Sequence, residues 1–224
     1  MYRVMNYQHL AGALLFIAAF VAFMGIITAE ATYPGYSAHD NFISDLGGTQ
    51  SPESVIKQPA ATIFATTLVV NGVLVIIAAY YVYRGLEPRR SVTTFSILLA
   101  LSGITAIGAA LFNQSTPPSF IAHATFGFIG FTVGGVGALI SYYFLRSPFR
   151  YFSVILGVIS LASFWLPIAL DIAVGRANPL NAALGFGGLE RWAAYPRTLW
   201  IIGFAGYLMG QTHVEEAQRD QRAP

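Results

Sequence analysis

The chain has 224 residues, of which 55% are hydrophobic and only 10% are charged, and its formal net charge is +2. A soluble domain carries about 25% charged residues, so this chain cannot cover a water-facing surface and lipid must cover much of it. The small net charge argues against a nucleic-acid partner, and the absence of cysteine excludes disulfides, thiol catalysis and thiolate metal sites.

Six apolar runs are long enough to cross a bilayer, and they predict an all-α fold, a polytopic membrane protein built as a six-transmembrane-helix bundle. The runs cover residues 9–30, 59–84, 92–113, 119–145, 150–173 and 190–211. A transmembrane barrel would show short alternating strands instead. The first run is too long for a signal-peptide core and predicts a retained helix. We expect a transmembrane domain over residues 1–212 and a cytoplasmic polar tail over residues 213–224.

Basic residues in the short connections predict the orientation of the helices. On the side that we expect to be cytoplasmic lie Arg3, Arg84, Arg89, Arg90, Arg146, Arg150, Arg219 and Arg222. On the other side lie Lys57, Arg176, Arg191 and Arg197. This bias predicts a multi-pass protein of the cell membrane with both termini in the cytoplasm. The three arginines on the outer side run against the bias, which suggests that each has a partner or a task.

The longest polar interruption near the start is YPGYSAHDNFISDLGG, residues 33–48, on the predicted outer side. Its first four residues are typical of a turn. Two interpretations stay open: a binding or catalytic loop folded over the outer mouth of the bundle, or a loop in which Ser44 and Asp45 cap short helical turns. The first interpretation predicts that Ser44 and Asp45 fold back within reach of His123 or Arg191.

The fourth run places small and polar residues at helical spacing on one face: His123, Gly127, Gly130, Gly134 and Ser141. A small-xxx-small pair lets another helix approach, so this face and His123 should point into the bundle. His123 is then either a metal ligand or proton carrier, or a neutral histidine bonded to Asn113 or to a backbone carbonyl. Asn71, near the middle of the second run, should need a partner on another helix.

Metal and cofactor sites have little support in the sequence. Zinc usually takes three or four protein ligands, and His9 and His213 lie at the wrong membrane face. A set of His39, His123, Asp45 and Asp171 is conceivable, but no spacing requires it, so we expect no metal and no cofactor. Motifs such as GxSxG, HExxH and a phosphate-binding glycine loop are absent.

Glu190 and Arg191 are adjacent at the start of the sixth run. Adjacent helical residues point about 100° apart, so each should reach a different partner. We expect Arg191 or Arg197 to pair with Asp45 or Asp171 across the outer mouth. Such an arginine is either part of a structural salt bridge or an anion clamp for a lipid phosphate or carboxylate.

Three blocks resemble an uncharacterised membrane family, domain of unknown function 998, found mainly in archaea and bacteria. They are YPGYSAHDNFISDLGG, the FNQ turn with IAHATFGFIGF, and GLERWAAYPRTLWIIGFAGYL. Together they lie in family order between Gly12 and Gly210, although the chain has Asn113 where the family pattern has proline. The resemblance implies six helices and draws attention to Ser44, Asp45, His123, Glu190 and Arg191. It implies no reaction.

Three functions are compatible with these features. The first is a non-enzymatic module that binds membrane lipids or another membrane protein subunit, which includes the role of an accessory subunit of a larger complex. Its pocket would consist of Asp45, Asn113, His123, Asp171, Glu190 and Arg191. The second is an intramembrane lipid hydrolase that uses Ser44, Asp45 and His123, which predicts a metal or a Ser–His hydrogen bond. The third is a small transporter, disfavoured because the cytoplasmic halves of the helices carry few ionisable residues and no inverted repeat is visible.

Overall fold

The structure is a computed structural model that describes the backbone of residues 7–220 and the side chains of residues 7–211. Arg3 and Arg222 lie outside the described residues, as do the side chains of His213 and Arg219. The helices are α1 (Tyr7–Ala31), α2 (Ala60–Gly85), α3 (Arg90–Leu111), α4 (Pro117–Ser141), α5 (Phe149–Val174) and α6 (Pro179–Asp220). A 3-10 helix, Ile43–Leu46, lies between α1 and α2.

The predicted all-α bundle is confirmed, and no strand occurs within residues 7–220. Helices α1 to α5 are each long and apolar enough to cross a membrane. Helix α6 has the length, but its apolar run carries Glu190, Arg191 and Arg197, which lowers its hydropathy. The chain is therefore a multi-pass membrane protein.

Helix α6 begins well before the predicted residue 190. The side chain of Asn178 accepts hydrogen bonds of 3.1 Å from the backbone N–H groups of Leu180 and Asn181, and Pro179 follows at a first-turn position. A short helical piece then ends at Gly185, where φ is 66°, and the helix resumes in a new direction. The predicted start of the sixth run at residue 190 was therefore wrong, and the Asn178-Pro179 pair was the missed signal.

Each helix packs against its neighbour in the chain, and α1 also packs against α6, so the six helices form a closed ring. Small residues allow close backbone approach at these contacts. A Cβ atom on Gly103 in α3 would lie 2.6 Å from the carbonyl oxygen of Gly72 in α2. At the closure of the ring, a Cβ atom on Gly12 would lie 2.7 Å from the carbonyl oxygen of Ala205.

Two apolar clusters fill the ring. One lies towards the end that carries the connections 86–89 and 142–148, and it is built around Phe95, Trp200 and Phe204. The other lies towards the opposite end and includes Phe64 and Leu46. We call this opposite end, which carries the connections 32–59, 112–116 and 175–178, the loop end. Most of the residues that the sequence analysis selected gather there.

Candidate functional site

The connection between α1 and α2 folds back over the loop end and does not hang in solvent. Its 3-10 helix buries Ile43 and Leu46 against α1 and α2. Asp45 closes the first turn, since its Oδ2 accepts a 2.9 Å hydrogen bond from the Phe42 N–H. This places the neighbouring Ser44 over the interior of the bundle. The predicted fold-back of the loop is confirmed.

Ser44 joins the loop to two helices. Its Oγ lies 3.0 Å from Nε2 of His123 in α4 and 3.0 Å from Oε1 of Glu190 in α6. The other carboxylate oxygen of Glu190 accepts hydrogen bonds from the backbone N–H groups of Ile43 and Ser44. We call Ser44, His123 and Glu190 the Ser44 network.

The hydrogen-bond partners limit where the protons of the Ser44 network can lie. Nδ1 of His123 lies 2.7 Å from the carbonyl oxygen of Phe112 and 3.0 Å from that of Ala109. Carbonyl oxygens only accept, so Nδ1 carries a hydrogen, and neutral His123 then has a bare Nε2. Ser44 has one hydroxyl hydrogen for two acceptors. Both contacts are hydrogen bonds only if one further proton resides on Glu190 or on Nε2 of His123.

His123 was expected to bond to either Asn113 or a backbone carbonyl, and the backbone alternative is confirmed. Asn113 instead closes the turn between α3 and α4, where its side-chain oxygen accepts a 3.0 Å hydrogen bond from the Ser115 N–H. The neighbouring Gln114, which the sequence analysis missed, is 3% exposed and donates a 2.7 Å hydrogen bond to Oδ1 of Asp45. Adjacent amides look alike in sequence, so only the fold shows which one points inward.

Asp45 is buried among amide and backbone donors and has no cationic partner among the described residues. Burial raises the pKa of its carboxyl group, although hydrogen bonds from Phe42, Asn41 and Gln114 oppose this rise. The expected ion pair between Asp45 and an arginine was therefore wrong. Polar neutral donors satisfy this carboxyl group in place of a guanidinium.

Arg191 ties the loop to α1 and α6. Its Nη2 lies 2.5 Å from Oε1 of Glu30 and donates a 2.6 Å hydrogen bond to the hydroxyl of Tyr36, while Nη1 donates to the carbonyls of Ala38 and Gly187. Burial raises the pKa of Tyr36. The sequence-based prediction did not include Glu30 as the partner of Arg191. The signal was a carboxylate in the last turn of a helix, where the macrodipole disfavours a negative charge.

Glu190 and Arg191 thus reach different partners, as their helical geometry predicts. Asp171, also expected to meet an arginine, instead accepts hydrogen bonds of 2.7 and 2.8 Å from the side-chain amides of Asn178 and Asn181. Asp171 therefore fixes the turn between α5 and α6. Arg197 does not lie at the loop end, but inside the ring, where its Nη1 donates a 3.0 Å hydrogen bond to the Gly130 carbonyl.

An open cavity of about 300 Å³ lies between α4, α5 and α6. Its walls are largely aromatic and apolar, with Phe120, Phe128, Phe131, Phe164, Pro167 and Ile168. The Ser44 network forms one polar part of its surface, and further polar side chains in the lining are Gln114, Asp171 and Arg176. A Cβ atom on Gly127, which also lines the cavity, would meet no atom within 4 Å. Glycine at this position leaves the cavity open.

A second cavity, of about 130 Å³, lies deeper in the ring and shares Ser44, His123 and Glu190 with the first. The Ser44 network therefore borders both cavities. Of the six residues predicted to form the pocket, His123, Asp171 and Glu190 line the larger cavity, whereas Asp45, Asn113 and Arg191 line neither of these two. The latter three hold the loop and the turns that shape the site.

The four residues considered for a metal do not come together. His39 is exposed, and its Nδ1 lies 2.7 Å from Oδ1 of Asp40. Within the described residues, no group of three or more His, Asp or Glu side chains is arranged to hold a metal ion. The chemistry available at the site is hydrogen bonding and proton sharing by a hydroxyl, an imidazole and a carboxyl group.

Asn71 has the interhelical partner that its position requires, since its amide donates a 2.9 Å hydrogen bond to the carbonyl of Ala18 in α1.

No curated protein and no solved structure matches the chain. A family model described as protein of unknown function matches residues 16–207, which includes the loop, α4 and the start of the long part of α6. On this match over most of its length, the chain belongs to the family described as protein of unknown function, DUF998.

Proposed function

We propose that this protein binds an amphipathic membrane lipid in the cavity between α4, α5 and α6. The observation that carries the proposal is the lining of the cavity, where phenylalanine side chains adjoin the Ser44 network. Ligand sites commonly combine apolar walls with a few polar groups that fix orientation. Helices α4 and α5 are neighbours in the ring, so on this proposal the lipid enters the cavity from the membrane side of these two helices.

The polar part of the cavity suits a lipid headgroup with hydroxyl or amide groups. The hydroxyl oxygen of Ser44 and the carboxyl oxygens of Glu190 keep lone pairs that accept hydrogen bonds from such groups. A buried carboxyl group disfavours a second anion beside it, so this part of the cavity fits a neutral headgroup better than a phosphate. The acyl chains would then contact Phe128, Phe131 and Phe164.

The test uses a cavity-filling variant with a matched control. Gly127→Leu extends a side chain into the cavity, whereas Gly206→Leu adds the same group at an exposed position where a Cβ atom also meets nothing within 4 Å. Both proteins are extracted from membranes in polymer nanodiscs, and bound lipid is measured by native mass spectrometry. We expect wild type and Gly206→Leu to retain lipid and Gly127→Leu to lose most of it. Equal retention by both variants would contradict the proposal.

A second candidate function, intramembrane lipid hydrolysis, is favoured by the 3.0 Å contact between Ser44 Oγ and His123 Nε2. In such a reaction Ser44 Oγ attacks an ester carbonyl, its proton passes to Nε2, and the leaving alcohol takes that proton. A water molecule then gives a proton to Nε2 and attacks the acyl-serine, and this proton returns to Ser44 Oγ as the acid leaves. Two features favour binding over hydrolysis. The Ile43 and Ser44 N–H groups, candidate donors to an oxyanion, already donate to Glu190, and Nδ1 of His123 faces neutral carbonyls.

A fluorophosphonate probe distinguishes the two functions, because it labels an activated serine nucleophile. Hydrolysis predicts labelling of wild type that disappears in Ser44→Ala and persists in Ser115→Ala, which removes another buried hydroxyl of the loop end. The binding function predicts no labelling of any of the three proteins. Lipid retention without labelling would therefore exclude this second candidate and leave the first.

We also propose that the loop end faces the outside of the cell and that both termini are cytoplasmic. The support is the basic character of the opposite end, where Arg84, Arg89, Arg90, Arg146 and Arg150 lie in or beside the connections. The chain has no cysteine, so single-cysteine variants report cleanly. On intact cells, an impermeant maleimide should label Glu53→Cys at the loop end and spare Glu87→Cys at the other. The reverse pattern would invert the orientation.

A further inference from the structure

We infer that Arg197 forms a binding site for a small monovalent anion, a halide or a carboxylate, in the deeper cavity. This inference does not rest on lipid binding in the larger cavity. The deeper cavity, of about 130 Å³, is lined by Arg197 on α6 and by residues of α1 to α4. A guanidinium is always charged in proteins, so the ring contains a permanent positive charge.

The contacts of Arg197 do not neutralise that charge. Nη1 donates a 3.0 Å hydrogen bond to the carbonyl of Gly130, and the guanidinium lies 5.3 Å from the ring centroid of Phe131. Both contacts are favourable to a cation, but neither supplies a negative charge. No carboxylate lies within ion-pair distance of Arg197 among the side chains of residues 7–211.

The remaining edge of the guanidinium is available to a ligand. Nε and Nη2 have no hydrogen-bond partner within the described part of the chain. Both nitrogens also keep some accessible surface. Together these two nitrogens form a planar fork that matches a carboxylate and also suits a spherical anion. Asn71, in the same cavity, uses one amide hydrogen on Ala18 and has a second one to donate.

Several other polar groups of the cavity are already engaged in hydrogen bonds and do not compete with this edge for an anion. The hydroxyl groups of Ser102, Thr105 and Thr198 donate to carbonyls of their own helices, so their hydrogens are already used. Glu190 lies on the same face of α6, seven residues and about 10.5 Å of helix rise away, with its oxygens engaged by Ile43 and Ser44. No group among the described residues neutralises the guanidinium, and a bound anion would do so.

Helix α4 is shaped to receive the arginine side chain. A Cβ atom on Gly134 would overlap Cδ of Arg197 and lie 3.0 Å from its Nη1. A Cβ atom on Gly130 would lie 2.8 Å from the hydroxyl of Thr105 in α3. The predicted small-xxx-small pair thus makes room for Arg197 and α3 at once, which fixes the guanidinium at the cavity.

Ligand-induced stabilisation tests this site. A ligand that binds the folded state raises the unfolding temperature as its concentration increases. Purified protein in detergent is titrated with sodium chloride or sodium acetate from low salt, and the thermal unfolding midpoint is measured. We expect a saturating rise for wild type, and the salt that saturates at the lower concentration distinguishes halide from carboxylate.

Three variants show whether the anion-dependent rise of the unfolding midpoint depends on Arg197. Arg197→Gln should abolish the rise, and Arg197→Lys, which keeps the charge but lacks the fork, should weaken the affinity. Arg90→Gln, which removes an exposed cation at the other end of the bundle, should behave as wild type. If Arg197→Gln does not fold, the Arg197→Lys affinity decides. A wild type without any anion-dependent rise, or Arg197 variants with an unchanged rise, would overturn the inference.

Discussion

Glu190 and His123 compete for the single hydroxyl hydrogen of Ser44. If Glu190 holds the additional proton, it donates to Ser44 Oγ, and Ser44 then donates to Nε2 of His123. If His123 holds it, the same hydrogen bonds run in the opposite direction. Substitution of Glu190 distinguishes these two arrangements, because an amide resembles a protonated carboxyl group.

Glu190→Gln should be nearly neutral if the proton resides on Glu190. Its amide oxygen accepts from Ile43 and Ser44, and its NH₂ group donates to Ser44 Oγ. Glu190→Ala leaves the Ile43 N–H without its acceptor, which should lower the free energy of unfolding by about 1–3 kcal/mol. Chemical denaturation in detergent measures both variants. Equal losses would place the proton on His123 instead.

Asp45 should make stability depend on pH. Burial raises its pKa above the ordinary value of 3.8, so between the unfolded and the folded pKa the folded state binds more protons than the unfolded state. The free energy of unfolding therefore falls as the pH rises through this window, and the loss is complete above the folded pKa.

Asp45→Asn removes this titration. Between about pH 4 and about pH 7, the unfolding midpoint of the variant should fall less, or rise more, than that of wild type. Glu87→Gln, which changes an exposed carboxyl group at the other end of the bundle, serves as the control and should retain the wild-type profile. Parallel profiles for wild type and Asp45→Asn would contradict the prediction.

At the scale of elements, the kinked start of α6 and the loop after α1 form one packed unit. The Gly187 N–H donates a 3.0 Å hydrogen bond to the carbonyl of His39, and Gly185 adopts its positive φ against the same residue. Arg191, one turn further along α6, binds the carbonyl of Ala38. The glycines bring the helix close enough for these contacts, and this closeness positions Glu190 under Ser44.

Gly187→Ala should separate the loop from α6. Its Cβ atom would overlap the carbonyl of Asn41 and lie 2.6 Å from that of Ala38, and backbone atoms cannot move aside easily. We expect a loss of about 1–3 kcal/mol in the free energy of unfolding. Gly188→Ala is the matched control, because its nearest neighbour would be 3.4 Å away, at Leu184. Similar stability of the two variants would show that the close approach is unimportant.

At the scale of the whole molecule, the ring depends on contact between its first and last helices. Helix α1 packs against both α2 and α6, and Gly12 brings the backbones of α1 and α6 together at Ala205. Because van der Waals packing, more than apolar burial, holds helices together in lipid, this contact should be sensitive to one methyl group. It also holds, away from the loop end, the helix that carries Glu190 and Arg197.

Gly12→Ala should therefore destabilise the bundle by about 1–3 kcal/mol, because its Cβ atom would lie 2.7 Å from the Ala205 carbonyl oxygen. Gly206→Ala adds a methyl group in open space on α6, and should change the stability by no more than about 0.5 kcal/mol. Denaturant titration in the same detergent compares the two proteins. Equal midpoints would indicate that α1 and α6 adjust without loss.

The helices could be predicted because their length and hydropathy are local properties of the chain. Short connections then place alternate loops at the same end, so the convergence of the loop, His123 and Glu190 followed from the order of the helices. Helical geometry also predicted that Glu190 and Arg191 have different partners. The short helical piece before Gly185 was missed, because its signal is an Asn-Pro pair and not a long apolar run.

The sequence by itself thus determined the class of protein, the helices and the end at which its polar residues meet. Only the tertiary structure decided which of them touch: Gln114 and not Asn113 with Asp45, Glu30 and not Asp45 with Arg191, and Arg197 at an internal cavity. The physical reason is that a hydrogen bond forms only when the donor–acceptor distance is correct to within a few tenths of an ångström, and here the two groups lie on segments far apart in the chain. Helix packing sets those distances, and hydrophobic periodicity does not encode them.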